Sequence, residues 1–361
     1  MRLYYIDSLK GIGAFIVFFC HFNGLFNMVS IPKWLQIFSN GEFAVVMFLM
    51  LSGFSISLSL ERNNTIDKIR STILSRYMRF AIPMAFVTVV SYFIYLCGGY
   101  YNNAVALFEN QGFGCGIFED VSLANFIFSL IFSPMGYDSL NTPVWMMKYI
   151  FEGTFVIIIL NLGVSKLKFV KQIAVLLFAS FLLLLESIYL SDVIAGMIIF
   201  KIWNKYKDTD VFSNGYYKYA RIVILFVFIC SAYLIGDLYT RKDGEIGIFP
   251  SLMLMLANIM MIISVLFSCL LQKILNIRCF NILGSVSFEF YLLHWIVICS
   301  ISSYLWIFFA ESYLHEYQWL VWSHFVFTTL VVLLLSIIIR DYLTPRFFKP
   351  LENRLMELVR E

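Results

Sequence analysis

The chain has 361 residues, of which 61% are hydrophobic and only 14% are charged, and its mean hydropathy is +0.83. A soluble domain contains about 25% charged residues, so this composition excludes a soluble protein and predicts one that lies in a lipid bilayer. The formal net charge of +3 gives no indication of a nucleic-acid partner.

Apolar stretches long enough to cross the bilayer, which takes about 20 residues, recur along the chain. We predict an all-α polytopic membrane protein with about ten transmembrane helices and a single domain over 1–361. The predicted spans are 11–29, 42–60, 80–97, 143–163, 172–187, 188–204, 220–238, 250–271, 281–301 and 320–340.

The positions of the basic residues test this number of spans. If both termini are cytoplasmic, the outer segments contain only Lys33, Arg241 and Lys242, while Lys148 lies just inside the fourth span. All but these four of the 26 Lys and Arg residues then lie on the inner side. Cytoplasmic segments are enriched in Lys and Arg, so the pattern favours ten spans with both termini inside.

The first predicted span contains a histidine, His21, near its middle. Ionisable residues are rare and usually functional within a bilayer, and histidine exchanges its proton near neutral pH. Lys10 lies eleven residues earlier, so on a helix it points to nearly the same side, about 16 Å away along the axis. This face suits a long ligand with an anionic end and a reactive end. The alternative is a snorkelling lysine and a histidine that is hydrogen-bonded within the bundle.

The second predicted span contains the small residues Ser52 and Gly53, followed by Phe54. Small residues let the backbones of membrane helices approach closely. We therefore expect another helix to cross the second span at this point.

Two arginines, Arg76 and Arg79, precede the third predicted span on the inner side. Their i, i+3 spacing places both guanidinium groups on one helical face, where they could clamp a phosphate. On spacing alone, ordinary positive charge on the inner side is the favoured interpretation.

The longest outer segment, 98–142, contains no Lys or Arg. Its stretch 122–134 is apolar but too short to span, which predicts an interfacial or re-entrant helix. The tyrosine and phenylalanine rings of this segment offer flat faces with polar rims that suit stacking on sugars. Cys97 and Cys115 both lie near the outer face, where a disulfide could form.

The fourth predicted span begins with Thr142 and Pro143, which suit the N-cap and the first helical position. Trp145, Lys148 and Glu152 then share one face of the helix. Because an intramembrane carboxylate is costly, Glu152 either pairs with Lys148 or orients a histidine or a hydroxyl group.

The ninth predicted span places Ser287, Tyr291 and His294 on one face, with His294 at a depth comparable with that of His21. A hydrogen-bonded packing seam is the favoured interpretation over a catalytic dyad. The four histidines of the chain lack the spacing of metal ligands, so no metal site is predicted.

Taken together, these residues resemble the acyltransferase 3 family of integral-membrane acyltransferases. The matching pieces are Tyr5-Ile-Asp7-Ser-Leu-Lys10-Gly followed by His21, Phe48-Leu-Met-Leu-Ser52-Gly53-Phe54, Arg76-x-x-Arg79 before Pro83, Trp145 through Glu152, and Leu283-Gly-Ser-Val-Ser287-Phe-Glu-Phe-Tyr291-Leu-Leu-His294. One departure is Lys10, where the family often has arginine, so the charge is kept but the bidentate fork is lost. The stretch after Trp145 also departs from the family pattern.

The resemblance implies transfer of an acyl group, commonly acetyl from cytoplasmic acetyl-CoA, to a hydroxyl of a cell-surface or lipid-linked glycan on the far side. It implies no permanently bound cofactor, and a multi-pass protein of a bacterial inner membrane. The residues assigned on this basis are His21 and Glu152 for catalysis, Lys10, Arg76 and Arg79 for acyl-CoA, and Trp145, Tyr291 and His294 for the acceptor.

Two questions stay open at the level of sequence. His21 either deprotonates the acceptor hydroxyl or is itself transiently acylated. The main alternative function is a transporter or flippase that moves a glycan or lipid without chemistry. The chain shows no internal repeat of the kind that many transporters contain, which weighs mildly against that alternative.

Overall fold

The structure, a computed structural model, describes residues 3–26, 39–61, 66–109, 112–118, 121–208, 247–310 and 318–358. Within these ranges the regular elements are helical and no strand is present, which confirms the predicted all-α class. The α-helices are α1 (Tyr4–Phe26), α2 (Gly41–Glu61), α3 (Ile66–Leu96), α4 (Asn102–Phe108), α5 (Leu123–Phe132), α6 (Met146–Val164), α7 (Phe169–Glu186), α8 (Ile188–Tyr206), α9 (Ile248–Phe267), α10 (Cys269–Leu275), α11 (Arg278–Ser285), α12 (Ser287–Val297), α13 (Ser303–Ala310), α14 (Gln318–Ile338) and α15 (Lys349–Leu358).

Eight helical stretches within the described residues are long and apolar enough to cross a membrane, which confirms a polytopic membrane protein. Helix α8 forms at the sixth predicted span but is not one of the eight, and it contains three charged residues: Asp192, Lys201 and Lys205. The seventh predicted span, 220–238, lies outside the described residues, as do Lys33, Arg241 and Lys242. A total of ten spans therefore stays a prediction.

The predicted bounds of the ninth span, 281–301, are wrong at both ends. The spanning helix runs over Ser287–Phe309, while the residues before it form the separate helix α11. The break falls at Val286, whose ψ of 10° leaves the helical range. Within the span, Ile298–Ser302 forms a π-helical segment, and the Cys299 carbonyl there accepts a hydrogen bond from the Tyr101 amide at 2.9 Å.

The chain divides into two compact units. Unit 1 comprises 1–13, 31–71 and 149–284, and it contains α2, most of α6, and α7 to α10. Unit 2 comprises 14–30, 72–148 and 285–361, and it contains most of α1 and α3, together with α4, α5 and α12 to α15.

Unit 1 is organised around the crossing of α2 and α8. A Cβ added at Gly53 would lie 2.0 Å from the Val193 carbonyl oxygen, and one added at Gly196 would lie 1.9 Å from the Met50 carbonyl oxygen. Each helix therefore supplies a glycine that lets the other backbone approach. The predicted close crossing at Gly53 is confirmed.

Unit 2 has an aromatic core where α1, α12 and α14 meet. Phe18 of α1 is fully buried, and its ring centroid lies 5.6 Å from that of Phe290 and 5.5 Å from that of Phe325. Aromatic rings contribute large buried areas and prefer defined mutual orientations. This core fixes the helices that carry the two histidines described below.

The outer segment of unit 2 is held by side-chain hydrogen bonds. Asn102, at the start of α4, donates from Nδ2 to the Gly114 carbonyl at 2.7 Å and to the Ile117 carbonyl at 3.3 Å. These bonds shape the loop 112–118, in which Gly114 takes a φ of +81° that favours glycine. Cys115 in this loop is free, as is Cys97.

The stretch predicted as a short interfacial or re-entrant helix is helical, since α5 occupies Leu123–Phe132. The Ser122 side chain caps its N-terminus by accepting a hydrogen bond from the Asn125 amide at 3.1 Å. Leu123, Ile127 and Ile131 leave an apolar face exposed. At ten residues, α5 is too short to cross a bilayer.

Candidate active site

Two histidines from distant parts of the chain meet inside unit 2. His21 Nδ1 lies 2.9 Å from His294 Nε2, and the two rings are nearly parallel, with centroids 5.1 Å apart and an interplanar angle of 12°. His294 is fully buried, whereas His21 is partly accessible. The sequence analysis noted their similar depth but did not predict this direct contact.

The hydrogen bonds of the pair determine which ring nitrogens carry protons. His294 Nδ1 lies 2.5 Å from the Tyr291 carbonyl oxygen, which can only accept, so His294 must donate from Nδ1. In a neutral imidazole the other nitrogen is then an acceptor, and His21 Nδ1 donates to it. His21 Nε2 consequently keeps its lone pair, and it has no hydrogen-bond partner among the described residues.

Aromatic rings enclose the histidine pair. The Trp295 ring lies edge-on to His21 at 5.1 Å between centroids, and the Phe113 ring lies 5.9 Å from His21 and 5.7 Å from Trp295. Phe113 belongs to the outer loop 112–118, so that loop reaches the histidine inside the bundle. Gly24 of α1 allows this approach, because a Cβ there would lie 3.0 Å from the Phe113 ring.

The sequence analysis missed Phe113 and Trp295. Trp295 directly follows His294 in the chain, and because adjacent helical residues do not usually share a face, the spacing does not indicate that both approach His21. No sequence pattern singled out Phe113, because its position depends on the fold of a loop that Asn102 holds from a distance.

Tyr291, assigned to acceptor binding, has a structural contact instead of an open hydroxyl. It is buried, and its hydroxyl donates a short hydrogen bond to the Pro143 carbonyl. Asn141 donates from Nδ2 to the Leu292 carbonyl at 2.8 Å, so two bonds tie α12 to the turn before α6. These contacts hold the backbone carbonyl that orients His294.

The turn before α6 differs from the prediction by one residue. Residues Thr142–Trp145 form a 3-10 helix whose N-cap is Asn141, and the prediction that Thr142 caps the helix is wrong. Pro143 is the second residue of this helix, one position later than predicted. Trp145, at the end of this turn, is 37% exposed.

The two arginines lie in the N-terminal half of α3. Arg79 is largely exposed, with its Nε 3.9 Å from Glu352 Oε1 and 3.3 Å from the Ser75 carbonyl. Arg76 is less exposed and lies over the Phe80 ring, with 5.7 Å between Cζ and the ring centroid. Both residues lie on one helix, and the phosphate clamp on one of its faces stays a prediction.

Lys10 and Glu152 belong to unit 1. The Lys10 ammonium donates to the Ser55 hydroxyl at 3.2 Å and lies 3.9 Å from the Asp7 carboxylate. Glu152 lies on α6 and is partly accessible. Near Lys10, α1 approaches α11 closely, because a Cβ added at Gly11 would lie 2.6 Å from the Gly284 nitrogen.

These features define a class: a multi-pass helical membrane protein with two histidines in hydrogen-bond contact inside one of its helical units. A family model described as an acyltransferase domain matches residues 3–341, so the chain belongs to the acyltransferase 3 family. Membership makes it an integral-membrane acyltransferase. No curated protein and no solved structure gives a significant match.

Proposed function

We propose that the protein is a transmembrane O-acyltransferase that moves an acetyl group from cytoplasmic acetyl-CoA to a hydroxyl of a cell-surface or lipid-linked glycan, in a bacterial inner membrane. The observation that supports this proposal most directly is the His21–His294 pair. It leaves His21 Nε2 with a lone pair and without a hydrogen-bond partner among the described residues.

In this mechanism His21 is the general base. Its Nε2 removes the proton of the acceptor hydroxyl while its Nδ1 proton stays bonded to His294. The charge that develops on His21 is shared along the chain of hydrogen bonds to His294 and the Tyr291 carbonyl. This arrangement orients a base in the way that the third member of a catalytic triad does.

The acyl-CoA is proposed to bind on the inner side, where the sequence concentrates positive charge. Arg76 and Arg79 would hold its phosphate groups, since guanidinium groups form strong charge-assisted bonds to phosphates. Lys10 is the third cation assigned to this ligand. The exposure of Arg79 fits this role, because its ion pair with Glu352 is long and open to solvent, and such pairs are weak.

The acceptor is proposed to approach from the outer side. The loop 112–118 belongs to the outer segment, which contains no Lys or Arg, and its Phe113 ring contacts His21. An anionic CoA has no cation to bind in that segment, whereas a sugar finds exposed rings, among them Tyr137 at 54% exposure. Glu152 keeps its assigned role in catalysis and Trp145 its role in acceptor binding as parts of this proposal, whereas His294, which is fully buried and bonded to His21, orients the base.

The test is an assay on membrane vesicles of known orientation that contain the protein. Acetyl-CoA labelled in the acetyl group is added on the cytoplasmic side, and label is followed into glycan on the outer side. Transfer that requires the chain supports the proposal. Glycan that crosses or accumulates without label would instead identify a transporter or flippase.

The same assay separates the two roles open to His21. With acceptor omitted, a base leaves no label on the protein, whereas an acyl carrier retains acetyl-imidazole that is released by hydroxylamine. Direct transfer with His21 as base is the mechanism proposed here.

A further inference from the structure

The indole of Trp295 contains a polar group that the helical packing does not use. Trp295 is 2% exposed, and its buried Nε1 has no hydrogen-bond partner among the residues that the structure describes. Buried donors in proteins are nearly always bonded, and an exception calls for an explanation. An indole nitrogen can only donate, so the group that completes this site must be an acceptor.

A second buried tryptophan in the same unit shows the usual arrangement. Trp306 is 1% exposed, and its Nε1 donates to Glu109 Oε1 at 2.9 Å. The two residues are equally buried and lie on the same helical stretch, 287–310. Of these two tryptophans, Trp295 alone contacts the His21 ring, and its indole donor alone lacks a partner among the described residues.

We propose that the Trp295 Nε1–H binds the carbonyl oxygen of the acyl group and stabilises the oxyanion that forms on it during transfer, a role that rests on the proposed function. The ligand chemistry is that of a thioester carbonyl brought beside His21. Phe113 contacts both side chains and is 38% exposed, so displacement of this ring opens both to the substrate.

In the transfer step, His21 Nε2 takes the proton of the acceptor hydroxyl, and the hydroxyl oxygen forms a bond to the carbonyl carbon of the acyl group. The π electrons of the C=O bond move onto the carbonyl oxygen, where the Trp295 donor stabilises the negative charge. When this intermediate collapses, the C=O bond re-forms and the C–S bond breaks. The CoA sulfur leaves with the electron pair and receives the proton from His21, so the ester and CoA thiol are the only products.

The test compares Trp295→Phe with Trp306→Phe in the purified full-length protein. Each change removes one indole N–H and keeps an aromatic ring. We expect Trp295→Phe to lower kcat by about 10²–10³-fold, the usual effect of removing one oxyanion donor, with little change in KM for acetyl-CoA. Trp306→Phe should keep kcat within a few-fold of wild type, and thermal unfolding of both variants shows whether the fold is retained.

A second measurement does not depend on turnover or on knowing the acceptor. Acetyl-CoA with a ¹³C label in the thioester carbonyl is bound to each protein, and its carbonyl stretch is recorded by isotope-edited infrared spectroscopy. The band should shift to lower wavenumber in wild type and in Trp306→Phe, and return towards its solution value in Trp295→Phe.

A wild-type band at the solution value, or a shift that survives in Trp295→Phe, overturns the assignment of Trp295. So does a folded Trp295→Phe protein with wild-type kcat, and in that case acyl transfer itself still stands. If wild-type protein neither binds acetyl-CoA nor transfers its acetyl group, the proposed function fails, and the role of Trp295 fails with it.

Discussion

Unit 2 contains two histidine–tryptophan clusters that differ in how their polar atoms are hydrogen-bonded. In the first, His21 and His294 are bonded to each other beside Trp295, and both His21 Nε2 and Trp295 Nε1 lack hydrogen-bond partners among the described residues. In the second, His324 Nε2 is bonded to the Ser302 hydroxyl at 2.8 Å, and the nearby Trp306 donates to Glu109. We call these the His21 cluster and the His324 cluster.

The difference distinguishes a candidate catalytic site from a contact that only packs helices together. Ser302 also bonds to Thr328 at 2.9 Å, so the hydroxyls of the His324 cluster bind one another and stabilise the helix contact. In the His21 cluster the buried Trp295 donor and the His21 Nε2 acceptor lack partners among the described residues, and an unsatisfied buried donor is costly unless a ligand uses it. The predictions below start with those that test this difference between the two clusters.

The largest effect is expected for His21→Ala. It removes the proposed base, so transfer should fall by about 10²–10⁴-fold while the protein still inserts and accumulates in membranes. The measurement is the initial rate of labelled acetyl transfer in vesicles with matched protein content.

The matched control is His324→Gln, whose side chain can still bond to Ser302. It should lower the unfolding temperature in detergent but retain transfer within a few-fold of wild type. Near wild-type transfer by His21→Ala would show that the His21 cluster is not the catalytic centre, and the comparison of the two clusters would lose its functional meaning.

His294→Ala should have a smaller effect, because His294 orients the base without touching the substrate. We expect a loss of roughly 10–100-fold in kcat, the order found for groups that hydrogen-bond and orient metal-bound histidines. His294→Gln, which can still accept a hydrogen bond from His21, should restore part of the rate.

A purely structural role for His294 predicts a different result. In that case Ala and Gln variants would lose activity in proportion to the amount of unfolded protein, and kcat per folded molecule would equal that of wild type in both variants.

Sequence reasoning predicted the scaffold better than the site. The close approach at Gly53 follows from residue size alone, and the depth of His21 follows from the bounds of one apolar run. The contact with His294 does not, because the helix break at Val286 changes where the ninth span begins, and the facing direction of two helices depends on tertiary packing.

The outer wall of the site was still less predictable. Phe113 reaches His21 because two Asn102 hydrogen bonds and a left-handed Gly114 bend the loop towards α1. Such side-chain bonds between segments have no periodic pattern in the sequence. The assigned roles of Lys10, Arg76, Arg79 and Glu152 stay predictions.

The third prediction concerns the inner side. Replacing Arg76 and Arg79 together by Ala should raise KM for acetyl-CoA with little change in kcat, because neither residue is proposed to act in the chemical step. A charge-assisted hydrogen bond is worth about 1.5–3 kcal/mol, which corresponds to roughly a 10–100-fold weaker interaction. Arg70→Ala, an exposed arginine near the start of the same helix, is the control and should leave KM unchanged.

Unchanged acetyl-CoA affinity in the double variant would show that the pair serves only as inner-side charge. A reporter fused to the C-terminus then tests the alternative, since loss of that charge should alter the orientation of the protein in the membrane.

The smallest effect is expected in the outer segment, at Asp138, and it concerns stability. Thr88 donates to its Oδ2 at 2.8 Å and the Leu140 amide to its Oδ1 at 2.9 Å, but burial outweighs these bonds and raises the pKa of Asp138 from 3.8 to about 6. The folded protein therefore holds this proton to higher pH than the unfolded chain does. Stability from this group is complete below about pH 4, falls as pH rises towards 6, and is constant above that.

We accordingly expect the unfolding temperature of the wild-type protein in detergent to contain a component that decreases between pH 4 and pH 6 at constant ionic strength. Asp138→Asn cannot ionise and should remove that component while keeping the bond to the Leu140 amide. Because Asp138 is anchored to α3 through Thr88 and is not part of the His21 cluster, transfer by the variant at pH 7 should equal that of wild type. An equal decrease in both proteins would show that other groups cause the pH dependence. Loss of transfer by the variant would show that the outer segment takes part in the reaction beyond the contact of Phe113 with His21.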